Sequence, residues 1–140
     1  MTLKLSAAQA IVEHALQHAR SLKFRPLSIA VLDSRSAVIA AASEDGTSLK
    51  RFQVAHGKAR RALALHGGSA PAWSNGGGTA TFITGAVGGA GLMPVAGGVL
   101  IRSAAGEVLV AVGISGDNSN SDEACAIAGI MAASLLADGG

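Results

Sequence analysis

The sequence predicts an α+β domain in which an antiparallel β-sheet is flanked by helices, in the order αββα–loop–ββα. Three observations predict it. Two stretches of apolar, β-branched residues are each followed, after a short polar or glycine-bearing turn, by a second such stretch, which is the signature of a hairpin. Segments with apolar residues at helical spacing flank both hairpins. The chain has 140 residues with no internal repeat and no composition break, so residues 1–140 form a single domain.

The elements follow in order. Ser6 with Gln9 three residues later reads as a capping box, and Ile11, Ala15, Ala19 and Leu22 continue at helical spacing, giving a helix over residues 6–22. Phe24-Arg25-Pro26 ends it. Residues 27–32 read as a buried strand, Asp33-Ser34-Arg35-Ser36 as a turn, and residues 37–43 as the returning strand closed by Asp45-Gly46. A second helix is expected over residues 48–66, capped by Gly67-Gly68. Residues 62–101 contain no Asp, Glu, Lys or Arg and include eleven glycines. So long a connection in a small domain is usually functional or disordered, and its apolar character favours packing. A short strand near residues 80–83 is a further candidate. Residues 95–102 and 107–114, joined by a turn at 104–106, form the second hairpin. Asn120 with Glu123 reads as the cap of a last helix over residues 121–136, with Ala124, Ile127, Ala128, Met131 and Leu135 on its apolar face.

Composition narrows the function classes. Hydrophobic residues make up 49% and charged residues 14%, against about 25% charged in an average domain, which excludes an intrinsically disordered chain. The chain holds 29 Ala and 19 Gly but only four aromatics, Phe24, Phe52, Phe82 and Trp73. Small side chains bury little area each, so a homo-oligomer, a dimer or larger, is the expected remedy for a modest core. A net charge of +2 with scattered aromatics does not favour nucleic acid as a partner. Residues 85–101 form the longest apolar stretch, too short for a membrane helix. The lone Cys125 and an N-terminus without a signal-like apolar run make a cytoplasmic protein the expectation.

Five segments carry a family resemblance: Ser28-Ile-Ala-Val-Leu-Asp33, Ala55-His-Gly-Lys58-Ala59-Arg, Pro94-Val-Ala-Gly97-Gly98-Val, Gly106-Glu-Val-Leu-Val-Ala-Val-Gly113-Ile-Ser115-Gly116 and Asp122-Glu-Ala. Together they resemble the GlcG/HbpS family, which is haem-binding-protein-like and related to the C-terminal domain of PduO-type corrinoid adenosyltransferases. The resemblance runs from Leu3 to about Ala133 and is most specific over residues 94–116. It implies a profilin-like sandwich that associates into dimers or larger rings, and haem binding in some members. The chain departs from the family pattern over residues 67–91, so no axial haem ligand is carried over from there.

The candidate site residues each have two readings. His14 and His18 lie one helical turn apart on the first helix; they are boundary histidines, or His18, flanking the apolar stripe, ligates haem iron at a subunit groove. Phe52, His56, Ala59, Leu63 and His66 share one stripe of the second helix. His56 is therefore a satisfied core histidine or a site residue. Lys58, Arg60 and Arg61 read as a solvated helix face or as a cationic clamp for an anionic ligand such as a haem propionate or a small carboxylate. Gly97 and Gly98 inside a strand mark close approach of another backbone or of a ligand. Gly113 and Gly116 shape a turn, or the backbone there donates N–H groups to an anion. Asp33 is a turn former or a partner for a pocket histidine. No Walker loop, dinucleotide fingerprint or nucleophile elbow is present, and no metal-ligand spacing stands out.

Two functions follow as expectations. The first is a small-ligand-binding protein that holds haem or a related tetrapyrrole at a groove between subunits, through His18, His56, Arg60, Gly97, Gly98 and Gly116. The second is a cofactor-independent isomerase, hydratase or lyase acting on a small organic acid. In that case His56 is the general base and Lys58 or Arg60 holds the carboxylate.

Overall fold

The computed structural model describes residues 3–65, 98–102, 108–132 and 136–138. Helix α1 spans Leu5–Ser21, strands β1 and β2 span Ser28–Asp33 and Val38–Ser43, and helix α2 spans Arg51–Leu65. Strands β3 (Gly98–Arg102) and β4 (Val108–Ser115), helix α3 (Ser119–Ala132) and the short strand β5 (Leu136–Asp138) are the remaining described elements. The strands form one antiparallel sheet in the order β2-β1-β4-β3-β5. The α+β architecture is the one the sequence predicts, and the described elements follow the predicted order with β5 added after the last helix. Gly97, His66, the 80–83 strand, the 67–68 cap and the 104–106 turn lie outside the described residues.

Period-two alternation assigns the two faces of the sheet. Ile29, Val31, Val99, Ile101, Val110, Val112 and Ile114 point to one face, where Ala8, Ile11, Ala15 and Ala19 of α1 and Cys125, Ala126 and Ile130 of α3 cover them. Each such Val or Ile contributes about 1.5–3 kcal/mol on full burial. Ala30, Leu32, Leu100 and Ala111 point to the other face, where α2 brings Ala59 and Ala62. Gly129 in α3 lets α1 approach closely: a Cβ there would lie 2.6 Å from the Ile11 carbonyl oxygen.

The face under α2 is built from the smallest residues. Ala30, Gly113 and Gly98 are register partners across β1, β4 and β3. A Cβ on Gly113 would collide with the Ala55 carbonyl oxygen and lie 2.8 Å from the Ala59 nitrogen; one on Gly98 would collide with the Lys58 carbonyl. Helix α2 therefore rests directly on sheet backbone rather than on side chains.

Local signals ended elements differently from the sequence expectation in several places. Ser6 lies inside α1, whose N-cap is Lys4 without a side-chain cap. The helix stops in a Schellman arrangement: Lys23 takes a left-handed φ of 58°, and the Phe24 and Lys23 N–H groups donate to the Ala19 and Arg20 carbonyls. Asn118, not Asn120, caps α3, its Oδ1 accepting from the Ser121 N–H at 2.8 Å. That helix ends at Ala132 rather than 136, because Leu136–Asp138 instead pair with β3. Asp33 is the turn former, accepting the Arg35 and Ala37 N–H groups at 2.8 and 3.0 Å around Ser36 at φ 68°.

Gly113→Ala should lower stability by about 1–3 kcal/mol, read as a lower urea midpoint at unchanged slope. An unchanged midpoint would contradict the close seating of α2.

Candidate functional site

Helix α2 carries most of the candidate residues, and its rotation decides what each can do. Ala55, Lys58, Ala59 and Ala62 recur at helical spacing and are buried against the sheet, whereas Phe52, His56 and Leu63 are half-buried. The sheet-facing stripe is thus offset from the 52-56-59-63 stripe expected from bulk. The reason is the glycine floor. Directly over Gly98 and Gly113 the helix presents backbone and alanines, Lys58 runs on to the Ile114 carbonyl, and Phe52, His56 and Leu63 flank the contact.

Lys58 is the main correction. It lies on no solvated face and is not a free clamp: its side chain is 3% exposed. The Nζ ammonium donates to the Ile114 carbonyl at 2.9 Å and to Asp122 Oδ2 at 3.1 Å. The pair ties α2 to the first turn of α3 across the end of β4. Burial pulls the Lys58 pKa below its ordinary value, and the Asp122 charge opposes that pull. Asp122 also accepts the Asp117 N–H at 3.0 Å. No local sequence pattern marks Asp122 as the partner of Lys58, because the two lie 64 residues apart. Arg61 is likewise buried, and burial lowers its pKa against the opposing charge of Glu123. Arg60, by contrast, is half-buried.

His56 lies on the flank of α2, its ring stacked on Phe52 with centroids 5.9 Å apart and planes 10° apart. Among the described residues its ring nitrogens make no hydrogen bond. His18 is half-buried on α1. Helices α1 and α2 cover opposite faces of the sheet and do not touch each other. One chain therefore does not bring His18 and His56 together. His14 is exposed, its Nδ1 bonding the Ala10 carbonyl at 2.8 Å.

The space over Gly98, Gly113 and Gly116 is occupied by the chain itself. At Gly98 the close neighbour is the α2 backbone, the first of the two expected readings. At Gly116 a Cβ would meet the Pro26 carbonyl and lie 2.5 Å from Leu27 Cα. Gly116 also borders a pocket of about 180 Å³ with Arg25, Pro26, Gly46, Thr47, Ser48 and Arg51. Asp117 secures this corner: its Oδ2 accepts the Arg25 N–H at 2.8 Å and its Oδ1 the Asn118 N–H at 2.8 Å. These bonds hold the Asp117 carboxyl below its usual value of 3.8. Among the described residues no group of His, Cys, Asp and Glu could hold a metal ion, and no helix is long and apolar enough to cross a membrane.

Comparison with known proteins adds the family. The family model for "Haem degrading protein HbpS-like" matches residues 3–131. No curated protein matches the chain in sequence. Among solved structures, the chain is similar to a PduOC:heme complex at 19% identity and a TM-score of 0.85, covering 97% of this chain and 98% of that one. A double mutant of HbpS from Streptomyces reticuli matches at 25% identity and a TM-score of 0.77, over 92% of this chain and 85% of that one. Klebsiella pneumoniae protein ORFY matches at 20% identity and a TM-score of 0.84, over 97% and 93%.

Two predictions follow from this geometry. Lys58→Met leaves the Asp122 carboxylate buried without its partner and should cost about 3–5 kcal/mol. Adding Asp122→Leu should restore much of that loss, and an additive double-mutant cycle in denaturant melts would contradict the pairing. Because the folded-state pKa of Asp117 is lowered, its stabilisation is present above pH 3.8 and is lost as pH falls through the folded value. Asp117→Asn should therefore flatten the acid limb of the stability curve below that pH; an unchanged limb would contradict it.

Proposed function

The chain belongs to the HbpS-like family, and on that footing we propose that it is a small-ligand-binding protein for haem or a related tetrapyrrole, held at a groove between subunits. The observation that carries the reading is the flank of α2. There a half-buried imidazole, His56, is stacked on Phe52 and lies one helical turn before the half-buried Arg60. The donor set suits the group: an imidazole whose nitrogens are not engaged by any described residue, an aromatic ring beside it, and a guanidinium for a carboxylate. The fold is shared with a protein solved as a heme complex.

In this reading His56 would offer a ring nitrogen to iron, Phe52 would shield the macrocycle from water, and Arg60 would pair with a propionate. When bound, haem supplies a redox-active iron and a broad apolar ring. Because α1 and α2 lie on opposite faces of the sheet, His18 joins such a site only from a second copy of the chain, which is why the groove is assigned to a subunit boundary. Leu22, Val38 and Met131, between 48% and 64% exposed, supply apolar surface for a homo-oligomer. The cytoplasm suits its one cysteine, which is buried and whose pKa is pushed up to about 12 by desolvation. The alternative, an enzyme acting on a small organic acid with His56 as base, keeps Arg60 but not the Lys58 ammonium, which is engaged within the chain.

Haemin titration tests the proposal. The wild-type protein should give a shifted, saturable Soret band. His56→Ala should weaken binding about tenfold or more, a loss of ~1.4 kcal/mol or greater; His18→Ala should weaken it only where the protein is oligomeric. A Soret spectrum and affinity unchanged in both variants would overturn the assignment.

A further inference from the structure

The pocket at the start of α2 is distinct from the His56 flank and is lined by a different kind of side chain. Arg25 and Arg51 face it together with Thr47, Ser48 and the Gly116 backbone, around a volume of about 180 Å³. At ~30 Å³ per water that is room for roughly six waters, a space for a few non-hydrogen atoms rather than a macrocycle.

Its electrostatics are positive. Arg51 is half-buried and uses Nη1 to reach Ser115 Oγ at 3.3 Å, which orients the guanidinium and leaves most of its five N–H donors for other partners. Arg25 sets its Nε 3.7 Å from Asp117 Oδ2. Of the acids on the flanking segments, Asp117 and Glu44 are engaged, and the exposed Asp45 lines the neighbouring depression with Arg20 and Glu44. Asp117 takes the Arg25 and Asn118 N–H groups. Glu44 takes the Arg20 guanidinium at 2.9 Å and the Leu27 N–H at 3.0 Å. The Thr47 hydroxyl proton is taken by the Glu44 carbonyl at 3.0 Å, which leaves the donors of the site to the two guanidinium groups. Helix α2 begins at this pocket with no acidic residue in its first turn, so the positive end of its dipole adds to the two guanidinium groups.

We propose that this pocket is a binding site for a small, doubly charged oxyanion, held between the Arg25 and Arg51 guanidinium groups over the Gly116 backbone. Planar guanidinium donors in pairs match the oxygens of a phosphate or of a small dicarboxylate, and both are small enough for the space. The site stands apart from the haem reading and does not depend on it.

Titrating the isotope-labelled full-length chain separately with inorganic phosphate and with malonate distinguishes the two sources of that chemistry. Whichever anion belongs there should saturably shift the Gly116 and Gly46 amide resonances at the lower concentration, while chloride at matched ionic strength leaves them in place. Arg51→Gln should weaken the response about tenfold or more. Arg25→Gln, at a largely exposed position, should weaken it too, so the test survives if Arg51→Gln does not fold. Gly116 and Gly46 resonances that move with neither anion would overturn the proposal. So would affinities unchanged in Arg25→Gln, or shifts scattered over the basic surface.

Discussion

The buried ammonium of Lys58 sets how α2 is turned on the sheet, and the rest of the arrangement depends on it. A charge with 3% exposure requires close partners, and among the described residues the Ile114 carbonyl and the Asp122 carboxylate supply them. Once Lys58 points across the end of β4, the helical period fixes every other residue of α2. The glycine pair Gly98 and Gly113 sets its height by letting helix backbone meet sheet backbone. Rotation and height together leave His56 and Arg60 on the flank and bring Arg51 beside Gly116.

The legible parts of the sequence were those where apolar periodicity has no competitor. α1, the β1–β2 hairpin and the β3–β4 pair all follow from alternation or helical spacing, and Asp33 was readable as a turn former from its side-chain chemistry. Helix caps were less legible: Asn120 is as plausible locally as Asn118, and α1 starts from Lys4 with no side-chain cap although Ser6 is the stronger local signal. β5 is not legible because Leu135 continues the apolar spacing of the last helix, and only pairing with β3 shows Leu136–Asp138 to be a strand.

The site was legible in its members but not in their orientation. A stripe chosen by side-chain bulk put Phe52, His56 and Leu63 inward, whereas a glycine floor selects alanines and sends bulk to the flanks. The same inversion hid Lys58 and Arg61, since cations are usually solvated unless a partner from a distant element meets them. Asp122 lies 64 residues from Lys58, and no local pattern links the two. The result is a division along one helix, with the imidazole flank on which the haem proposal rests and a guanidinium-lined pocket at its start.

Lysine acylation of the native protein, read residue by residue by mass spectrometry, tests the orientation of α2 most directly. Lys4, Lys23 and Lys50 are exposed and should label rapidly, while Lys58 should stay unmodified until denaturant unfolds the chain. Labelling of Lys58 at the rate of the other three in the folded protein would contradict the buried ammonium and the placement of His56 and Arg60 that follows from it.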